Sequence, residues 1–190
     1  MTPPQGRSLL TDEDETSFVG RLLSIACRTA LEEGLGAVST LRLARDAGVS
    51  RVAVEKRFRT RADLLAALQA DILGEAAESL VDALGGMSPL RPQALETLCR
   101  LWVAHWLDRP ALFRVAFPDG AAPPRTGPRD ALAPLAIYFT EGLDGTEDGA
   151  RADLLLCALQ GIVLSHLGPR PGDWTEPGDL VALAISTVRK

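Results

Sequence analysis

The chain is poor in the residues that carry most enzyme chemistry. Its 190 residues include two histidines, His105 and His166, a single tyrosine, Tyr138, and three cysteines. With so few histidines there is no H-E-x-x-H pair; no G-x-S-x-G and no phosphate-cradling glycine loop occurs either, so catalysis is not expected. Cys27, Cys99 and Cys157 stand far apart without a C-x-x-C. They suggest neither a disulfide framework nor a zinc site, and read as free buried thiols. No cofactor and no metal is expected. Long apolar runs are also missing, since none approaches the ~20 residues of a membrane span. The opening Met1-Thr2-Pro3-Pro4-Gln5-Gly6 lacks the basic-then-apolar pattern of a secretory signal. The expected compartment is the cytoplasm, with no membrane partner.

Alternating strand patterns are absent as well, and what is present instead is helical spacing. The fold expected is all-α. Residues 1–10, with two prolines, read as a flexible arm. A first helix opens at the acidic cluster Asp12 to Glu15, which suits the positive end of a helix dipole, and buries Phe18, Leu22, Ile25, Ala26 and Ala30 before stopping at Gly34 or Gly36. Ser39 caps a second helix that stops at Gly48, and Ser50 caps a third, Arg51 to Phe58, with Val54 and Phe58 on its apolar side. Thr60-Arg61-Ala62-Asp63 fits a capping box and opens a long helix with Leu65, Leu68, Ile72, Ala76 and Leu80 on one face. Further helices are expected at Arg91–Asp108, Ala111–Phe117, Asp130–Leu143, Ala150–Leu167 and Asp179–Arg189. The proline-rich stretch 118–128 and residues 168–178 read as loops.

The net charge of −5 hides a reversal of sign. Residues 39–61 carry seven cations (Arg42, Arg45, Arg51, Lys56, Arg57, Arg59, Arg61) against Asp46 and Glu55, a local balance of +5, whereas everything from residue 71 onward balances at −6. An acidic body with one compact basic patch suits a protein that docks on phosphate through a small module. A merely solvated helix face would show similar charges, so the patch gains meaning only from its surroundings.

Those surroundings are three short helices with tight glycine turns, the third of them basic, as a helix-turn-helix requires. Through Leu43-Ala44-Arg45-Asp46-Ala47-Gly48-Val49-Ser50 and then Phe58, the span resembles the TetR family of transcriptional regulators. Leu22-Leu23-Ser24-Ile25-Ala26 upstream and Arg61-Ala62-Asp63-Leu64-Leu65 downstream extend the resemblance over about fifty residues. It implies a helix-turn-helix module at 11–60 and a helical effector-binding and dimerisation domain at 61–190. The module's geometry turns Arg51, Val52, Ala53, Glu55, Lys56 and Arg57 toward a major groove. With Ser39, Thr40, Ser50 and Arg61 they form the candidate DNA-binding set.

The sequence departs from the family's pattern at the DNA face. Glu55 replaces an aromatic residue that usually touches phosphate, Arg57 replaces histidine or tyrosine, and Arg61 replaces lysine. The two arginines can serve as phosphate donors. Glu55 either accepts from a cytosine amino group or pairs internally with Arg51, Arg59 or another nearby cation; the internal pair is the preferred reading.

In the second domain Cys99, Trp102, His105, Trp106 and Phe113, with Tyr138, either form core or border a mostly apolar ligand pocket. His105 between two tryptophans suits a core histidine better than a base, and His166 near a helix end suits a contact with carbonyls. Leu155, Ala158, Leu159 and Ile162 recur at helical spacing and are the candidate homodimer interface. The combined expectation is a homodimeric repressor bound to a double-stranded, palindromic operator and released by a small hydrophobic or aromatic effector. The rival is a helical ligand-binding or interaction protein with weakened DNA binding, for which Glu55 would be the mark.

Overall fold

The structure is a computed structural model that describes residues 12–118, 130–143, 149–168 and 175–189. The arm at 1–10 and nearly all of the proline-rich stretch lie outside the described residues. Nine α-helices are present among those described: α1 Asp12–Glu33, α2 Thr40–Ala47, α3 Arg51–Glu55, α4 Arg61–Ala83, α5 Ala94–Leu107, α6 Pro110–Ala116, α7 Ala133–Gly142, α8 Ala150–Leu167 and α9 Pro177–Val188. Short 3-10 turns at Leu35–Ala37 and Asp130–Leu132 join them, and no strand occurs among the described residues. The all-α architecture read from the sequence is the one observed. The contacts divide into two units, one ending at Leu65 and the other beginning at Ala66, so the first turn of α4 goes with the N-terminal unit.

The N-terminal unit is built by its caps. Ser39 Oγ accepts from the backbone N–H of Arg42 at 3.2 Å, and Ser50 Oγ accepts from that of Ala53 at 3.2 Å. Each satisfies one of the donors that a helix start leaves orphaned. Between them Gly48 sits at φ 67° and ψ 31°, the left-handed conformation that lets the chain reverse after α2 at no cost to a Cβ. At the head of α4 the capping box is reciprocal. The Asp63 N–H donates to Thr60 Oγ1, and the Thr60 N–H donates to Asp63 Oδ2, both at 3.0 Å.

Packing then fixes the helices. Leu22, Ala26, Val38, Leu43, Val54 and Phe58 are all buried; each large aliphatic or aromatic side chain so placed contributes roughly 1.5–3 kcal/mol. Helices α5, α7 and α9 begin at Ala94, Ala133 and Pro177 instead of Arg91, Asp130 and Asp179, and two expectations in the N-terminal unit shift as well. The inner side of α4 begins at Leu64, which is buried, and not at Leu65, which is half-buried. The third helix ends at Glu55 instead of Phe58, because the Arg57 N–H bonds to the Val54 carbonyl at 2.9 Å and tightens the last turn.

In the C-terminal unit α5 is the hub. It packs against α7, α8 and α9, and α8 packs against α9. The approach of α7 to α5 is close: a Cβ added at Gly142 would lie 2.5 Å from Leu95 Cβ, so only glycine fits there. Pro134 lies in the first turn of α7, where its missing N–H removes no helical bond.

Candidate nucleic-acid interface

The candidate surface is assembled from α2, the Gly48 turn and α3. Val54 and Phe58 anchor α3 from behind. One helical turn apart on its other side stand Arg51 and Glu55, and the Arg51 guanidinium Nε donates to Glu55 Oε1 at 2.6 Å. The internal pair preferred from the sequence is therefore formed. Val52 is 62% exposed beside it, and Lys56 is exposed one turn further on. Ala53 and Arg57 are half-buried, as are Ser39 and Thr40, and Ser50 is exposed. All ten candidate DNA-binding residues thus lie in the N-terminal unit.

Arg61, expected as a phosphate donor, makes contacts within the module. Its Nε donates to the Val38 carbonyl at 2.9 Å and its terminal NH2 group to the Leu35 carbonyl at 2.6 Å. Two of its three nitrogens bond to the 3-10 turn between α1 and α2 and to the residue after it, where the Leu35 carbonyl also accepts from the Val38 N–H at 3.2 Å. Arg61 braces the head of α4 against that turn.

A second network was not read from the sequence. Arg42 donates to Glu33 at the end of α1, 2.7 Å away, and to Asp46 one turn along α2; Arg45 also reaches Asp46 at 2.9 Å. Hydrogen bonds from Arg42 hold the Glu33 and Asp46 carboxyls below their usual range, and bonds to Glu33 and then Asp46 raise Arg42 in turn. The signal available in the sequence was the Arg42–Asp46 spacing of four, which alone does not point to Glu33. With Arg51 on Glu55 and Arg61 on carbonyls, at least four of the patch's seven cations are committed within the module. Leu41, 63% exposed on the first turn of α2, was also passed over.

In the second unit a cavity of about 350 Å³ opens between α5, α7 and α8. Trp102, Leu135, Ala136, Phe139, Ala152 and Leu156 line it along with Leu132 and Ala133, and Asp130 and Thr140 are its polar members. Of the expected ligand residues only Trp102 lines it. Trp106 and Phe113 are instead fully buried in an aromatic core, where Trp102 meets Trp106 edge-on at 5.8 Å between ring centroids and Trp106 meets Phe113 at 5.7 Å. Phe117 completes the cluster. Cys99 is buried, and burial pushes its thiol up to about 12, so it is a small apolar filler. Tyr138 turns its hydroxyl to donate to the Met87 carbonyl at 3.1 Å. His105 packs on Trp106 at 4.9 Å, and burial lowers its pKa. These five side chains lie outside the cavity because α5 and α7 each present only one stripe to it and α6, which carries Phe113, does not line it. The apolar residues facing outward into the groove, chiefly on α7, were the missed signal.

The expected dimer residues need correction by helical phase. Leu155 and Leu159 are fully buried within the chain, Ile162 is 7% exposed, and Ala158 is half-buried. They face α5 and α9. A stripe displaced by one or two residues points elsewhere on a helix that turns ~100° per residue, and the apolar stripe left open on α8 is Leu154, Cys157, Gly161 and Leu164. Leu183 on α9 is open as well. Cys157, on that open stripe, is exposed; Cys27 on α1 is half-buried, and only Cys99 fits the expected buried thiol. His166 behaves as expected, its Nδ1 lying 2.7 Å from the Ile162 carbonyl.

Capped helices around a glycine turn, an outward third helix and a separate helical unit define the class of helix-turn-helix regulators. Residues 22–68 match the family model of bacterial regulatory proteins of the tetR family. The chain carries the N-terminal domain of the TetR family and is a DNA-binding transcriptional regulator. Its fold is similar to that of a fatty acid degradation regulator, FadR, from Bacillus halodurans (TM-score 0.55, 13% identity, covering 90% of this chain and 93% of that one). It is also similar to a bacterial regulatory protein in the tetR family from Rhodococcus RHA1 (0.51, 16%, 90% and 94%). A protein of unknown function from Rhodococcus sp. RHA1 shares the fold too (0.58, 20%, 97% of both chains). No curated protein matches the chain in sequence.

Proposed function

We propose that the protein is a homodimeric repressor that binds a palindromic operator and is released from it by a small, mostly apolar molecule held between α5, α7 and α8. The observation that carries the ligand response is the cavity of about 350 Å³, a size in the range of small-molecule sites, with a lining dominated by aliphatic and aromatic side chains. Among the described residues Asp130 is the one ionisable member of that lining, which favours a neutral or weakly charged molecule over a nucleotide or sugar phosphate.

The dimer is supported by α8. It is, among the described residues, the one helix long and apolar enough to cross a bilayer by length and composition, yet just 28% of it is buried within the chain. Its buried side packs on α5 and α9. A second copy covering Leu154, Cys157, Gly161 and Leu164 accounts for the open side, and Gly161 at the middle of the stripe lets two helices approach closely. The rival reading, a protein with weakened DNA binding, loses its main support because Glu55 is neutralised by Arg51.

Fluorescence anisotropy on duplexes tiling the DNA beside the protein's own gene tests the proposal. One palindromic duplex is expected to bind far more tightly than random DNA, and neutral apolar compounds to weaken that binding. Equal affinity for every duplex would end the repressor reading.

A further inference from the structure

Resting on the DNA-binding reading above, we propose that Val52 is a specificity-determining residue, its aliphatic side chain reading the 5-methyl group of a thymine in each half-site. The argument starts from which outward groups on α3 remain available for bases. Val54 is fully buried two residues on from Val52, about 200° around the helix, so Val52 points away from the core. Arg51 and Glu55 engage each other at 2.6 Å. Beside phosphates that pair has reason to persist, because opening it would leave a carboxylate facing like charge.

No Asn or Gln occurs between residues 39 and 61, so the bidentate reading of adenine has no donor there. What α3 presents most openly beside the closed ion pair is Val52, 62% exposed, since Ala53 is half-buried; Lys56, just past the helix end, lies one turn later on the same stripe. An aliphatic group in the major groove has one distinctive partner among the base edges, the thymine methyl; every other major-groove marker is a hydrogen-bond donor or acceptor that it leaves unsatisfied. Lys56 beside it supplies attraction to phosphate or to guanine without altering that preference.

The test uses the full chain and a synthetic random duplex library, in which the only base methyls are those of thymine. The palindrome the protein enriches is remade with deoxyuridine in place of each thymidine in turn, which removes one methyl and nothing else. At one position per half-site the loss is expected to be about 4-fold for one substitution and about 15-fold for both, a methyl-sized burial in each case. Val52→Ala, at an exposed site, is expected to bind thymine and uracil versions alike. If the wild type is indifferent to uracil everywhere, or if Val52→Ala keeps the full uracil penalty, Val52 reads no methyl and the proposal fails while DNA recognition stands. If no duplex is enriched over random DNA, the operator reading fails and this proposal with it.

Discussion

Arg51 and Glu55 close an ion pair of 2.6 Å across one turn of the reading helix, and this places the most unusual residue of the DNA face in the protein's own electrostatics. Exposed helical pairs of this kind are worth only about 0.3–0.5 kcal/mol to folding, so Glu55→Gln is expected to leave stability nearly unchanged. It releases Arg51, and binding to operator and random duplexes is expected to tighten together, with the slope of log affinity on log salt steeper by about 2 per dimer. Selection from random DNA with both proteins checks this. A variant that instead relaxes preference at one base pair by ~1–3 kcal/mol per half-site would make Glu55 a reader of cytosine.

Arg61 and Lys56 are separable by the same slope. Lys56 is an exposed cation on the outward stripe, whereas Arg61 commits Nε and one of its two terminal nitrogens to the Val38 and Leu35 carbonyls. Lys56→Gln is expected to weaken all DNA and flatten the slope by about 2 per dimer. Arg61→Gln is expected to lower stability by about 0.5–1.5 kcal/mol through the lost hydrogen bonds, measured by urea unfolding, with the slope kept. A flattened slope without a stability loss would restore Arg61 to the phosphates.

The N-terminal module was legible because its determinants are local. Ser39, Gly48, Ser50 and the Thr60–Asp63 box each act within a few residues, so their spacing in sequence is their spacing in space. The Arg61 brace was not legible, since its carbonyl partners lie 23 and 26 residues away and any exposed arginine looks alike in sequence. In the second unit the apolar positions on α5 and α8 were legible in the sequence, but which of them meet the core, the cavity or the outside was not. Helices apolar on more than one side carry no mark saying which side meets the core, and Leu159 and Leu154 differ only in what packs against them.

That phase difference predicts opposite outcomes for two variants on α8. Leu154→Arg combined with Leu164→Arg replaces exposed residues and is expected to give a folded monomer near 20.2 kDa by sedimentation. Leu159→Asp, which buries a carboxylate at a fully enclosed position, is expected to unfold the unit, at a cost of several kcal/mol. A folded dimer in the first variant would remove α8 from the interface.

His105 gives the fold a pH dependence of defined sign. Burial lowers its pKa, Arg109 adds to the lowering, and Asp108 opposes it. The unfolded chain therefore binds its proton more readily than the folded one, so the contribution of His105 to stability is complete above about pH 6.5 and declines as pH falls from there through the lowered folded value. Thermal midpoints are expected to drop between pH 7 and pH 5 in the wild type and to vary less in His105→Gln. Equal slopes in the two proteins would show that other groups set the dependence.

The groove beside Trp102 offers the most direct control over release from DNA. Ala136 and Ala152 line it from α7 and α8 with minimal side chains, and neither is part of the buried core. Enlarging them fills the space from its walls while leaving the N-terminal module untouched. Ala136→Trp and Ala152→Phe are therefore expected to keep operator affinity within about 3-fold, a shift below 1 kcal/mol, while raising the concentration of an apolar compound needed for release by tenfold or more, roughly 1.4 kcal/mol. By reciprocal linkage, the compound binds the DNA-free protein more tightly than the DNA-bound one by the same factor with which it weakens operator binding. Its arrival is read as a change in tryptophan fluorescence that Trp102→Phe abolishes. If both filled variants are released as readily as the wild type, the effector sits elsewhere and the groove is a feature of packing alone.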